Sequence, residues 1–168
     1  MAKKYRYRRY RKSGVWASNI SEINHESITA TAGTFSNTAT LITNPAQTST
    51  TTSQKYTIKN VDLQYMIESS QASNLNSLNV YVMYVPQGMN VDENYNIHHP
   101  EYIMAHKMIS DPQSTSNQYI PPLRIKTRLA RTLNTGDSII LYIKGYNGYG
   151  QDLTYYLDAT VRWVSKAN

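Results

Sequence analysis

Between Leu153 and Trp163 every odd position is apolar: Leu153, Tyr155, Leu157, Ala159, Val161 and Trp163. The even positions include Thr154, Asp158, Thr160 and Arg162. A sustained period of two predicts a strand with one buried face and excludes a helix, whose apolar positions recur every three or four residues. The same period runs through "VDLQYMI", where Val61, Leu63, Tyr65 and Ile67 share one face and Asp62 and Gln64 the other. Just upstream, Tyr56 and Ile58 are out of phase with that set, which predicts a bulge near Lys59–Asn60.

Two further runs, "LNVYVMYV" (Leu78–Val85) and "SIILYIKG" (Ser138–Gly145), are apolar on both faces and read as central strands. Strands are also expected in Val15–Thr31, Tyr102–Ile109 and Pro122–Leu133, with an eighth in Phe35–Thr43, where alternation is poor. Turn signals separate them at Pro86–Gly88 ("PQG"), Asn134–Asp137 ("NTGD") and Gly145–Gly150 ("GYNGYG"). In the last, the Asn147–Gly148 pair suits a type I′ turn. Thr43–Gln54 lacks periodicity and reads as an exposed loop, and Asn90–Tyr102 leaves room for a short helix. Strands without interleaved helices predict an all-β antiparallel fold. An immunoglobulin-like sandwich and an eight-stranded jelly roll both satisfy the pattern, and periodicity does not choose between them.

Charge divides the 168-residue chain in two. Lys3–Lys12 reads "KKYRYRRYRK", seven cations and three tyrosines with no acid. Ten bases and all 11 acids follow, so the remainder carries −1 and Met1–Lys12 carries +7. The expected organisation is a basic arm over residues 1–13 and one folded domain over 14–168. Such an arm calls for a polyanion: cations displace counterions from phosphates, and tyrosine rings stack on unpaired bases. The candidate nucleic-acid contacts are Lys3, Lys4, Tyr5, Arg6, Tyr7, Arg8, Arg9, Tyr10, Arg11 and Lys12. Nuclear import is compatible with the same residues. A second, weaker set lies in "PLRIKTRLAR", where Arg124, Lys126 and Arg128 share one strand face. That face could line nucleic acid, meet acids of a neighbouring subunit, or simply be solvated.

Other chemistries lack their residues. There is no cysteine, which removes disulfides, thiolate metal sites and cysteine nucleophiles. His98, His99 and Glu101 lack a recognised metal-ligand spacing, since adjacent histidines on a strand face opposite ways. No paired acids, nucleophile–base set or phosphate loop stands out, so neither an enzyme nor a cofactor is expected. No apolar run approaches the roughly 18 residues of a membrane-spanning helix. Fifteen tyrosines against two tryptophans and one phenylalanine suit either surfaces buried on assembly or a tyrosine-rich sheet.

Four segments carry a family likeness: "YVPQG" (Tyr84–Gly88), "HPEYIMAHK" (His99–Lys107), "PPLRIKTRLARTLNTGDSIILYIKG" (Pro121–Gly145) and "VRWVSKAN" (Val161–Asn168). Together they resemble capsid proteins of circovirus-like viruses, whose circular single-stranded DNA genomes encode a replication initiator. The likeness covers roughly Tyr56 to Asn168. It implies a single eight-stranded antiparallel jelly-roll sandwich behind a basic N-terminal arm. It further implies self-assembly of about 60 copies into a small icosahedral shell around single-stranded DNA. The location implied is the virion and, during assembly, the host nucleus, with the host import machinery as a further partner. The loops Pro86–Pro100, Asn134–Asp137 and Gly145–Asp152 would cluster where subunits meet or face outward. The arm is short for the family, which puts the arm's share of genome neutralisation in question. Coat proteins of plant satellite RNA viruses share the plan, so composition leaves the nucleic acid open. A cellular single-strand-binding module with a basic tail is the competing class.

Overall fold

A computed structural model describes residues 15–44, 55–69, 75–110, 119–148 and 150–167. Among these described residues nine strands follow one another: β1 (Ala17–Ala30), β2 (Gly33–Thr43), β3 (Tyr56–Ser69), β4 (Leu75–Val85), β5 (Ile103–Ser110), β6 (Tyr119–Thr127), β7 (Arg131–Leu133), β8 (Ser138–Asn147) and β9 (Leu153–Ala167). A one-turn helix α1 (Tyr95–His98) and a 3₁₀ turn (Pro100–Tyr102) lie between β4 and β5, in the stretch expected to hold a short helix. One sheet has the order β1-β9-β3-β6, with β7 also paired to β3; the other is β2-β8-β4-β5.

The pairing is nested. The first strand pairs with the last, the second with the second to last, and β3 and β4 likewise with β6–β7 and β5. That order, wound over two packed sheets, defines a jelly roll and excludes the immunoglobulin arrangement. β6 and β7 are two parts of one strand along β3, with Thr127 opposite Val61 and Arg131 opposite Ile58. Nine segments therefore build eight strands. The interruption faces the expected bulge, where the β3–β9 register shifts between Lys59 and Asp62 and Asn60 takes φ +55°.

The core fills the space between the sheets. Leu153, Tyr155, Leu157, Ala159 and Val161 of β9 are buried in it, while Trp163 is only half-buried against it. Poor alternation in β2 also has a cause: its register shifts between Thr40 and Ile42, so Leu41 and Ile42 are both buried. The doubly apolar β4 and β8 are central. Val80, Val82, Ile139, Leu141 and Ile143 face the main core, and Met83, Val85, Ile140 and Tyr142 form a second cluster with Tyr95 of α1. The Tyr142 hydroxyl donates to Glu93 O at 2.6 Å and the Tyr95 hydroxyl to Tyr84 O at 3.1 Å. Burial pushes the Tyr95 hydroxyl up to about 12.

Two of the three turns form as the sequence indicates. Gly88 and Gly136 take positive φ, and their turns close through Met89 N–H to Pro86 O (3.2 Å) and Asp137 N–H to Asn134 O (3.1 Å). The type I′ hairpin at Asn147–Gly148 does not form. β8 and β9 lie in different sheets, so their connection crosses the sandwich, and Asn147 lacks the positive φ that a type I′ turn requires. Asn147 is instead buried, its amide donating to Ala30 O (2.9 Å) and Gln151 O (2.7 Å). The exposed loop expected from Thr43 starts later than that: Thr43 ends β2, and buried Asn44 donates through its side chain to Leu133 O (3.1 Å). Residues 45–54 of that loop lie outside the described residues.

β1 carries a second bulge. Its register to β9 shifts between Ile23 and Glu26, and His25 takes φ +53°. The His25 ring stacks on Tyr156 at 4.0 Å, and its backbone N–H donates to Asp158 Oδ1 at 2.9 Å.

Candidate nucleic-acid interface

The arm candidates Lys3 to Lys12 lie outside the described residues. The second set does not, and the register places it. Pairing of β6 with β3 sets Lys126 opposite Asp62 and Arg124 opposite Gln64, on the solvent face of the sheet. Arg124 donates to Asp62 through Nε (2.7 Å) and through Nη2, and Lys126 Nζ lies 3.8 Å from the same carboxylate. The Arg124 hydrogen bond holds the Asp62 carboxyl below its ordinary pKa, with the charges of Arg124, Lys126 and Arg162 adding to the effect. Arg128 is exposed but falls just beyond β6, so the three cations do not share one strand face.

Sequence reading missed three members of this surface. β9 sets Arg162 opposite Asp62 and Lys166 opposite Thr57, and β3 sets Lys59 opposite Val164. Side chains on these rungs point the same way, because the bulge restores Lys59 to the outer face. Across these neighbouring rungs Lys59, Arg124, Lys126, Arg162 and Lys166 face the acids Asp62 and Glu22. Arg162 was visible as a polar even position of β9, but its neighbours come from distant segments. Trp16 stands at the rim, 40% exposed, with Lys59 Nζ 3.9 Å from its ring centroid.

The three candidate loops do not gather at one place. β8 separates Asn134–Asp137 from Gly145–Asp152, which lie at its opposite ends. At the first end, buried Asp137 accepts from Tyr84 Oη (2.6 Å), Gln87 N (2.9 Å) and Asn134 N (2.7 Å), and so joins the Pro86 turn to the Asn134 turn. Burial raises this carboxyl's pKa, but the hydrogen bonds outweigh it and the net shift is downward. His98 and His99 sit beside Asp92 (3.7 Å) and Glu101 (3.2 Å) respectively. Among the described residues no three His, Asp or Glu side chains converge as a metal site, and no helix is long and apolar enough to cross a membrane.

No protein-family model matches the chain, and comparison with curated proteins returns no match. Among solved structures it is similar to one of Desmodium yellow mottle tymovirus (12% identity, TM-score 0.46, 92% of this chain and 88% of that one). It is also similar to the VP2 subviral particle of infectious bursal disease virus (7% identity, TM-score 0.44, 90% of this chain). The chain spans only 33% of that VP2 chain. A decameric BFDV capsid protein matches at 9% identity and a TM-score of 0.24, over 88% of this chain and 99% of that one. The jelly-roll assignment stands on strand order and register, independently of these likenesses.

The basic face makes a definite prediction. Replacing Arg124, Lys126 and Arg128 together by alanine should leave the fold intact, because solvent screens exposed ion pairs and they contribute little to stability. Asp62 already engages two of the three, so the salt dependence of nucleic-acid binding should fall by less than the roughly 2 log units per decade that three independent phosphate contacts give. Titration of an oligonucleotide at several salt concentrations checks this.

Proposed function

We propose that this chain is the coat protein of a small virus, self-assembling into a closed icosahedral shell that packages single-stranded DNA. The reading is structural rather than catalytic. One observation carries it: a +7 arm of 12 residues joined to a jelly roll whose remainder has a net charge of −1. A near-neutral body lets many copies pack side by side, and a segregated arm places charge against a genome. The arm residues Lys3–Lys12 are the principal DNA contacts, with Arg124, Lys126 and Arg128 as a lesser set. The circovirus-like resemblance supports DNA rather than RNA and assembly in the host nucleus, where the arm also serves import. A carbohydrate-binding sandwich leaves the arm without a purpose.

Negative-stain microscopy and light scattering of purified full-length protein test the reading. Uniform closed particles on the order of 20 nm across are expected for about 60 copies. Monomers or small oligomers that bind single strands would favour the cellular module instead. Nucleic acid released from particles should yield to DNase and resist RNase; the reverse would point to a satellite-RNA type of coat.

A further inference from the structure

We propose that the cationic half of the outer face of the β1-β9-β3-β6 sheet is a binding track for single-stranded DNA, in which Trp16 stacks an unpaired base. This rests on the packaging reading above and adds a site outside the arm. Four observations meet there. Lys59, Arg162 and Lys166 project from this face without an ion pair to any described residue. Trp16 is 40% exposed and Ile20 is 57% exposed. Ile20 sits on the solvent-facing sheet surface and Trp16 at its rim, and neither belongs to the core. A depression of about 410 Å³ opens beside Ile20, walled also by Asp62, Arg162 and Val164, within the size range that takes a small planar group. Finally, only three residues separate Trp16 from Lys12 in the sequence, so the last cation of the arm is tethered within a short reach of Trp16.

The combination selects the occupant. An anionic polymer answers the cations, and a flat unpaired base answers the indole. A duplex keeps its base faces inside the stack and could use only the charges. Lys59, already over one side of the Trp16 ring, is placed to meet a phosphate beside the stacked base.

The test compares binding of full-length protein to an oligothymidylate of about 15 nucleotides and to an abasic strand with the same number of phosphates, by fluorescence anisotropy. Wild type should prefer the base-bearing strand by about fivefold to a hundredfold, the range for stacking one base. Trp16→Ala should lower that preference at least fivefold with an unchanged salt slope, leaving what the arm tyrosines supply, and Trp16→Phe should keep most of the wild-type value. A Lys59, Arg162 and Lys166 triple-alanine variant should do the opposite, lowering the salt slope by about 2 and sparing the preference. If Trp16→Ala discriminates the two strands as wild type does, the track is wrong and the packaging reading stands on the arm. If wild type binds neither strand, the packaging reading itself falls.

Discussion

Replacing Asp137 with alanine is expected to destabilise the fold by roughly 3–5 kcal/mol, since hydrogen bonds to a charged group are worth about 1.5–3 kcal/mol each and the orphaned donors add a penalty. Its Oδ1 accepts from Gln87 N, and its Oδ2 from Tyr84 Oη, Asn134 N and Asn134 Nδ2. Every partner is a donor, so Asp137→Asn must turn an amide N–H toward another N–H or O–H and should also lose stability. In a domain of this size each kcal/mol moves Tm by about 2–4 °C, so thermal melting should show a drop of about 10 °C for the alanine variant. The acid limb offers a second reading. The native carboxyl titrates below its ordinary value. Its stabilisation is therefore complete above the unfolded pKa, near 3.9, and is lost as pH falls through the lower native value. Stability of the Asp137→Ala variant should fall less steeply between about pH 4 and pH 2 than that of wild type.

Deleting Met1–Lys12 should act in the opposite way, sparing the fold and abolishing most packaging. The segment is almost entirely cations and tyrosines, and the described core is complete without it. Tm should stay within about 3 °C of wild type. Removing seven cations should lower the log–log salt slope of single-strand binding by about 5, at roughly 0.7 per phosphate contact. Particles of the truncated protein should show absorbance ratios close to those of protein alone. An unchanged nucleic-acid content would move the packaging function onto the sheet face.

What could be read in advance was local. The β9 alternation, the phase change before Val61 and the doubly apolar β4 and β8 are each contained in a few consecutive residues, and each has its counterpart in the fold. The nesting that separates a jelly roll from an immunoglobulin sandwich joins residues as distant as Ala17 and Ser165, and no short window carries it. The basic face failed to appear for the same reason: Lys59, Arg124 and Arg162 are neighbours only through the β6-β3-β9 register. Asp62 was visible as a polar face residue, but its hold on Arg124 and Lys126 was not. Asp137 reads in sequence as an ordinary turn former; its burial depends on Tyr84 and Gln87 arriving from another strand and turn. Asn147 misled because Asn-Gly favours tight hairpins only when both flanking strands share a sheet.

The bulge in β1 has a bearing on what such a chain can become. β1 is the edge of its sheet along 14 residues, and a straight edge of that length is a template on which identical copies add strand upon strand. The register shift and the left-handed His25, whose N–H turns inward to Asp158 of β9, bend the strand and wind its free edge away from flatness. Endless strand-by-strand addition at this edge is thereby disfavoured, which suits the closed association proposed above.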